Sequence, residues 1–278
     1  MGNAIHKRRL LAAFAGILLA LSACSETVGP DLPKKPELLA PPPSGTLLNP
    51  QLRVALSPDY PPLALKALGR PAGLEVDFAN QIGKELGKQI LFVEAPFPEL
   101  INLLLARRAD IIMSGMSITT SRAKLVSFTE PYAHIGQMAL VRSKDIDSYS
   151  NLQAFTHTTS RVGFVRDTTG EQAARQIFLR AQLITQPTIE QGVEALRKGG
   201  IDVFIHDAPT IWRIAGNPNE QQLKGLYWPL TKEPLAWAVR HEDEPLRFAL
   251  NQIVTQWKDS GQVRLFINRW VTFTVWQK

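Results

Sequence analysis

The sequence predicts an α/β protein with two lobes and a cleft between them. Short apolar runs of strand length alternate with stretches that carry apolar residues at helical spacing, a pattern typical of a parallel sheet covered by helices. The alternation occurs twice, beginning near residue 52 and again near residue 161. The chain has 278 residues, of which 45% are apolar, so it can build a substantial hydrophobic core.

The first set of elements is predicted as strand, helix, strand, helix, strand. Phe78, Ile82 and Leu86 repeat at helical spacing and are followed by Gly87, which is a common residue at the end of a helix. Such an order implies parallel strands with helices on both faces of the sheet. The predicted elements are strand 52–56, helix 74–86, strand 89–93, helix 98–107 and strand 111–113.

The second set repeats this character and ends in helices. An amphipathic helix is expected before Gly261, and a last helix carries Val263, Phe266, Ile267 and Trp270. Two similar sets with a helical tail favour two lobes. The predicted elements are strand 161–165, helix 169–181, helix 189–198, strand 201–206, helix 208–214, strand 235–239 and helix 245–258.

The N-terminus has the composition of a secretory signal peptide. Lys7-Arg8-Arg9 precedes an apolar run, residues 10–20, that is shorter than a membrane span. The run ends in Leu21-Ser22-Ala23 and then Cys24, the only cysteine of the chain. This order resembles the lipobox of bacterial lipoproteins, which implies removal of residues 1–23 and lipidation of Cys24. The alternative is an ordinary signal peptide followed by an incidental cysteine.

Residues 24–49 are rich in proline and are predicted to form an extended tether. Without residues 1–23 the chain has 28 Lys and Arg against 25 Asp and Glu, a net charge of +3. The basic residues are scattered, so we expect no nucleic-acid partner. The histidines lack metal-ligand spacing, and neither a phosphate-binding loop nor a dinucleotide fingerprint is found, so we predict no metal and no cofactor.

Polar residues follow four of the predicted strands directly. Ligands of open α/β sheets bind outside the carboxyl ends of the strands, so these residues are expected to surround one binding site. The candidates after the four strands are Tyr60; Ser114, Gly115, Met116, Ser117 and Arg122; Thr168 and Thr169; and Asp207.

One end of the expected site fits a carboxylate. Arg122 offers a planar guanidinium for bidentate hydrogen bonds. Gly115 allows a close approach of the backbone, and Ser117 adds a hydroxyl donor. Thr169 opens a helix, whose free N–H groups favour an anion. The side chain of Met116 is expected to pack.

The other end fits an ammonium group. Asp207 can accept hydrogen bonds from it, and Tyr60 can cover the apolar part of the ligand. These are the groups that a free amino acid requires. Simpler roles stay open for several residues: Asp207 as a helix cap, Tyr60 as a turn residue, and Thr168 and Thr169 as N-terminal capping residues.

The chain resembles the bacterial extracellular solute-binding proteins of family 3, which serve polar amino acid uptake. The resemblance covers nearly all of residues 50–272 and is most specific in the loop that ends at Arg122. The residues that carry it are Leu52-Arg53-Val54, Asp59-Tyr60-Pro61-Pro62, Gly73-Leu74-Glu75-Val76-Asp77, residues 110–119 with Arg122, residues 128–132, Val162-Gly163, Thr168-Thr169, residues 202–205 with Asp207, Gly261 and Trp270.

The resemblance implies a type II periplasmic binding protein, or Venus flytrap, that closes by hinge motion. Residues 50–142 with 233–278 would form lobe 1, and residues 143–232 would form lobe 2, with crossings near 142–144 and 231–233. It implies Arg122 and Thr169 as carboxylate donors, Ser117 as a hydroxyl donor, Asp207 as ammonium acceptor and Tyr60 as an aromatic wall.

Three residues depart from the family pattern. Glu75 stands where the family usually has Asp, and the other two departures affect the expected pocket. Leu63 stands where an aromatic residue is usual, which loosens one wall. Asp167 replaces the usual glycine before Thr168-Thr169 and adds a negative charge near the expected carboxylate site, unless it caps the following helix.

The implied function is capture of an amino acid by a monomeric, non-enzymatic lipoprotein at the extracytoplasmic face of a bacterial membrane. An ABC permease would be its partner and a lipid its membrane anchor. Two alternatives are a cyclohexadienyl-dehydratase-like enzyme on the same fold, in which Glu130 or Glu171 would be the acid, and a ligand-sensing accessory lipoprotein.

Overall fold

The computed structural model describes residues 45–271. The predicted signal peptide, the predicted lipidation site Cys24 and most of the predicted tether therefore lie outside the described residues. Residues 45–49 of the tether are described and contain a single 3₁₀ turn, Gly45–Leu48. Within residues 45–271, no helix is both long enough and apolar enough to cross a membrane.

Fifteen strands lie within residues 45–271. They are β1 (Gln51–Leu56), β2 (Asp59–Tyr60), β3 (Ala64–Ala67), β4 (Arg70–Ala72), β5 (Gln89–Glu94), β6 (Ile111–Ile112), β7 (Ser127–Phe128), β8 (Ala133–Ile135), β9 (Gln137–Arg142), β10 (Arg161–Val165), β11 (Gln182–Gln186), β12 (Val203–Asp207), β13 (Leu223–Leu226), β14 (Glu233–Leu235) and β15 (Ala238–Val239).

Nine α-helices lie in the same part of the chain. They are α1 (Leu74–Glu85), α2 (Leu100–Leu105), α3 (Thr120–Ala123), α4 (Leu152–Thr156), α5 (Thr169–Ile177), α6 (Ile189–Arg197), α7 (Ala208–Ala215), α8 (Glu244–Asp259) and α9 (Gln262–Trp270). Further 3₁₀ segments are Phe97–Glu99 and Ser143–Tyr149.

Two five-stranded sheets form the body of the molecule, in the orders β5-β1-β6-β15-β7 and β11-β10-β12-β9-β13. In the first sheet β1 lies between β5 and β6, and in the second sheet β10 lies between β11 and β12; these strands are parallel. Only β15 in the first sheet and β9 in the second run against their neighbours. Four of the five strands of each sheet thus run in one direction, as predicted.

The first sheet packs on an aromatic core that is concentrated around Phe78 of α1. Phe78 is fully buried and contacts the rings of Tyr132, Trp237, Trp257 and Phe266 at centroid distances of 5.2–5.6 Å. Such pairs add stability beyond the buried apolar area. The helical spacing in α1 therefore marks the face that holds α8 and α9 against the sheet.

Three elements differ from the sequence prediction. The helix predicted over 169–181 ends at Ile177, because Gln182–Gln186 forms the edge strand β11 beside β10. The strand predicted over 235–239 is divided into β14 and β15, which belong to different sheets. The short strands β2, β3 and β4, which pair as antiparallel neighbours, were not predicted, because each is too short to show an alternation of apolar and polar residues.

The first crossing between the sheets lies earlier than predicted. Gln137–Arg142 was assigned to lobe 1, but it forms β9 and pairs with β12 and β13 of the second sheet. That assignment was wrong, because the strand is buried on both faces and completes the second sheet. The backbone N–H of Gln137 also donates to Thr231 Oγ1 at 2.9 Å, so the two crossing segments touch.

Candidate functional site

One cavity of about 530 Å³ lies between the two sheets, at the carboxyl ends of their strands. The side nearer the first sheet contributes residues that follow β1 and β6, such as Ser57 and Ser117. The side nearer the second sheet contributes residues that follow or end β10, β11 and β12, such as Thr169, Pro187 and Asp207. This is the location that open α/β sheets favour for ligands.

Seven of the nine predicted site residues line this cavity. They are Tyr60, Gly115, Ser117, Arg122, Thr168, Thr169 and Asp207. The other two do not contribute to the lining, and their inclusion is corrected. Ser114 is buried and its hydroxyl accepts a hydrogen bond from the backbone N–H of Ser57 at 2.9 Å. Met116 packs in a core cluster of the first sheet, as its apolar side chain favours.

Arg122 is buried at the cavity and is held in a fixed orientation. Its guanidinium donates to the carbonyl of Ser117 at 3.0 Å and to the carbonyl of Asp167 at 3.2 Å. The guanidinium carbon lies 5.1 Å from the centre of the Phe97 ring, within cation–π range. Burial lowers the pKa of Arg122, while the Asp207 carboxylate opposes this shift. Within the described residues no carboxylate forms an ion pair with Arg122, so its positive charge can attract an anionic ligand group.

Asp207 is the acidic group of the cavity and lies 9% exposed at the end of β12. Its carboxylate accepts hydrogen bonds from Tyr60 Oη and Gln137 Nε2. Burial raises the pKa of Asp207, although these hydrogen bonds and the charge of Arg122 act in the opposite direction. Its side chain does not cap α7, so the helix-cap alternative is wrong.

Thr168 and Thr169 have different roles at the start of α5. Thr168 is the N-cap: its hydroxyl accepts from the N–H of Glu171 at 3.3 Å and donates to the carbonyl of Val165 at 2.7 Å. Thr169 is buried, and its hydroxyl accepts from Gln137 Nε2 at 3.1 Å. The hydroxyl proton of Thr169 is therefore available to a ligand, whereas that of Thr168 is occupied.

Asp167 does not place its carboxylate in the cavity lining. The residue has a left-handed backbone with φ of 60°, and its N–H donates to Glu171 at 2.8 Å. It does not cap α5, because that position belongs to Thr168. What Asp167 contributes to the site is its carbonyl, which orients Arg122.

Two buried glutamates that the sequence analysis did not assign to the site hold the loop after β6. Glu233 accepts a hydrogen bond from Ser117 Oγ at 2.7 Å. Glu75 accepts from the N–H of Gly115 at 2.6 Å. The predicted donors, Ser117 Oγ and Gly115 N–H, therefore already donate to groups of the protein. Glu75 and Glu233 hold the loop in position, and neither of these two donors is free for a ligand.

Glu75 also receives hydrogen bonds from Tyr132 Oη at 2.6 Å and Trp237 Nε1 at 3.0 Å. Burial raises the pKa of this carboxyl group, and the three donors oppose the shift. Since Tyr132 and Trp237 belong to the aromatic core, Glu75 connects that core to the binding loop at Gly115. Glu75 lies in a stretch that carries the family resemblance, but nothing in the sequence marked its side chain as part of the site.

The remaining walls of the cavity are mainly apolar and were not predicted. Pro96, Phe97 and Pro98 line the side of the first sheet, and Pro187 and Ile189 line the opposite side. His206 also lines it and is buried, which lowers its pKa to about 4. His206 is therefore uncharged near neutral pH. Phe97 and Pro98 belong to a short 3₁₀ segment, Ile189 begins α6, and His206 lies in β12. No motif in the sequence marks these residues as parts of one site.

Within the described residues, no group of three or more His, Cys, Asp or Glu side chains has the geometry to hold a metal ion. The cavity instead offers one buried cation, Arg122, and one buried carboxylate, Asp207, with apolar walls between them. These two groups are chemically suited to a small dipolar molecule, through charge-assisted hydrogen bonds.

The strand order of the two sheets, with one antiparallel strand in each, and the ligand-sized cavity between them are those of a type II periplasmic solute-binding protein, the class of the similar solved structures. The chain belongs to the bacterial extracellular solute-binding proteins, family 3, whose sequence model matches residues 52–273. The predicted family and fold class are thereby confirmed.

Individual relatives are similar over most of their length. The probable histidine-binding protein of Neisseria gonorrhoeae is 29% identical over 266 residues, covering 92% of each chain. A solved structure from Wolinella succinogenes, assigned as an ABC-transporter binding component and complexed with lysine, has a TM-score of 0.77 and 31% identity, covering 82% of this chain and 99% of that one. An ancestral amino acid-binding protein, a precursor of cyclohexadienyl dehydratase, has a TM-score of 0.73 and 29% identity, covering 80% and 95%.

Proposed function

We propose that this protein captures a free amino acid outside the cytoplasm and delivers it to an ABC importer. The observation that carries the proposal is the presence of Arg122 and Asp207 in one cavity, both buried and neither in direct contact with the other. The α-carboxylate of an amino acid would bind Arg122, and its α-ammonium would bind Asp207. The names of the relatives, which bind histidine or lysine, support this substrate class.

Lobe closure would bring the two ends of the site together. Arg122 follows the first sheet, but one of its hydrogen bonds goes to Asp167 beside the second sheet. Tyr60 likewise reaches Asp207 across the cavity. We assign the hinge to residues 136–137 and 230–232, where the crossing segments contact each other. Rotation there would open the cavity with little change inside either sheet.

Ligand screening by thermal shift tests the proposal. The free amino acids are added one at a time to the purified chain without residues 1–23, and a binder is confirmed by calorimetry. At a ligand concentration of a hundred times Kd, the stabilisation would be about 2.7 kcal/mol. The proposal fails if no amino acid raises the melting temperature or releases heat on titration.

We infer that the protein has no catalytic role. The dehydratase alternative needs a general acid in the cavity, yet neither Glu130 nor Glu171 lines it. Glu171 is bound instead to the N–H of Asp167 and to Arg175. Incubation with prephenate, followed by absorbance measurement of phenylpyruvate, would reveal a dehydratase.

We further propose that Cys24 carries a lipid and that residues 24–49 tether the lobes to the extracytoplasmic side of a membrane, where a monomer meets its permease. The support is the lipobox-like order before Cys24 and the family's extracellular character. Metabolic labelling with a radioactive fatty acid tests this directly. Label should enter the wild-type protein and be lost in Cys24→Ala, which should also be released from the membrane fraction.

A further inference from the structure

Two charged side chains of the cavity remain after Arg122 and Asp207 are assigned to an amino acid. Asp59 of β2 lines the cavity from the side of the first sheet, and Arg166 lines it directly after β10. Both side chains are exposed, and within residues 45–271 neither forms a side-chain hydrogen bond or an ion pair. The cavity therefore contains a second carboxylate and a second guanidinium group, and neither forms an ion pair within the described residues.

The size of the cavity leaves room for a ligand that reaches this second pair. A volume of about 530 Å³ corresponds to roughly eighteen water molecules at about 30 Å³ each. An amino acid head has about five non-hydrogen atoms, so the cavity can hold two such heads and a spacer. A single amino acid of ordinary size would leave part of this volume to water.

The walls between the charged groups suit an uncharged spacer. Phe97 and Pro96 on one side and Pro187 and Ile189 on the other present apolar surface. His206 adds no charge near neutral pH. A chain of methylene groups, or a thioether, would lose its contact with water against these residues without leaving a polar group unsatisfied.

We propose that the ligand is a bis-amino acid, a molecule with an α-amino acid group at each end of a short apolar spacer. This inference rests on the proposed function, since one head occupies Arg122 and Asp207. The second head places its carboxylate at Arg166 and its ammonium at Asp59. A dipeptide does not satisfy the four groups, because it has one free ammonium and one free carboxylate.

Calorimetry with three related compounds tests the assignment. meso-Diaminopimelate carries both heads, lysine lacks its second carboxylate, and 2-aminopimelate lacks its second ammonium. Diaminopimelate should bind about tenfold more tightly than either compound, because each lacks one charge-assisted contact. Equal or tighter binding of lysine or 2-aminopimelate would overturn the inference.

Charge-removing variants identify the second head group by group. Arg166→Gln should weaken diaminopimelate about tenfold and leave lysine unchanged, whereas Asp59→Asn should weaken diaminopimelate and leave 2-aminopimelate unchanged. Matched controls are Arg70→Gln and Asp147→Asn, which are exposed and lie outside the cavity lining. If the cavity variants behave like the controls, the second head does not bind there.

The two proposals fail in distinguishable ways. If single amino acids bind with Arg122-dependent affinity while Arg166→Gln and Asp59→Asn change nothing, amino acid capture stands and the bis-amino acid inference falls. If no amino acid of either kind binds, the proposed function falls as well. Weaker diaminopimelate binding in both cavity variants, with lysine unchanged in Arg166→Gln and 2-aminopimelate unchanged in Asp59→Asn, supports both proposals.

Discussion

Tyr60 donates a hydrogen bond to the carboxylate of Asp207, although the two residues are 147 positions apart and lie on opposite sides of the cavity. Both groups are buried. Burial raises the pKa of the Asp207 carboxyl and raises that of the Tyr60 hydroxyl well above its usual value. The contact therefore joins the two sides of the cavity and leaves part of the Asp207 acceptor capacity for a cationic group.

We expect Asp207→Asn to reduce amino acid affinity by about 2 kcal/mol, or roughly thirtyfold. The amide keeps a partner for Tyr60 but loses the charge that attracts the ammonium. Calorimetry with the amino acid found by screening, and with its analogue that lacks the amino group, measures the effect. The variant should weaken only the amino acid; equal loss for both compounds would place the ammonium elsewhere.

Amino acid affinity should fall as the solution is acidified from about pH 7 to about pH 4. The Asp207 pKa is raised by burial, so this carboxylate takes up a proton earlier on acidification than an exposed aspartate does. Once protonated, it no longer attracts an ammonium group. Titrations with the amino acid across this pH range should show a clear fall in the affinity of the wild-type protein. The affinity of Asp207→Asn should fall less.

Arg122→Lys should weaken binding by about 3 kcal/mol, or more than a hundredfold. Lysine retains the positive charge but lacks the planar guanidinium group. That group donates to the carbonyls of Ser117 and Asp167 and has further N–H groups for a ligand carboxylate. Arg107→Lys is the matched control, because Arg107 is exposed and pairs with Glu242 outside the cavity. Unchanged affinity in Arg122→Lys would assign the ligand carboxylate to another group.

Gly115→Ala should lower both stability and ligand affinity. Gly115 has a φ of 62°, and a Cβ there would lie 2.5 Å from Tyr60 Cε1 and 2.6 Å from Leu63 Cδ2. The left-handed backbone costs an alanine about 1 kcal/mol, and the overlap displaces Tyr60 from Asp207. Gly69→Ala isolates the backbone cost, because Gly69 has a φ of 75° and open space around it. Equal melting temperatures of the two variants would contradict the packing argument.

Folding stability should decrease as the pH falls from 6.5 to about 4, in part because of His206. Burial lowers the pKa of His206 from 6.5 to about 4, so the unfolded chain takes up this proton before the folded one does. The difference corresponds to a loss of about 3 kcal/mol at most, complete near pH 4. Urea unfolding should show a smaller loss in His206→Gln than in wild type, while the exposed control His157→Gln behaves like wild type.

The boundaries of several main elements could be predicted from sequence, because the spacing of their apolar residues follows the period of a strand or a helix. The strand 161–165 is observed at the predicted residues, and α1 ends one residue before its predicted end. Both have clear apolar spacing and a defined end. β11 was missed because its residues are mostly polar or partly exposed, and its pairing with β10 makes it a strand. β9 was missed although its apolar run, residues 138–141, has the composition of a buried strand.

The candidate site was predictable where residues follow parallel strands, since the carboxyl ends of such strands must converge. Arg122 and Asp207 were found in this way. Glu75 and Glu233 were not, because their role is to accept hydrogen bonds from Gly115 and Ser117. A buried acceptor of this kind is recognisable only when its donors are located.

The sequence by itself determined the two α/β units and the two charged residues of the cavity, because periodic burial and strand-end loops are local properties of the chain. The resemblance of its motifs to the family supplied the family. Only the tertiary structure decided which polar groups are free to bind a ligand. Hydrogen bonds between residues more than 100 positions apart occupy Ser117 and join Tyr60 to Asp207. Such pairings depend on how distant segments meet, and no local pattern encodes them.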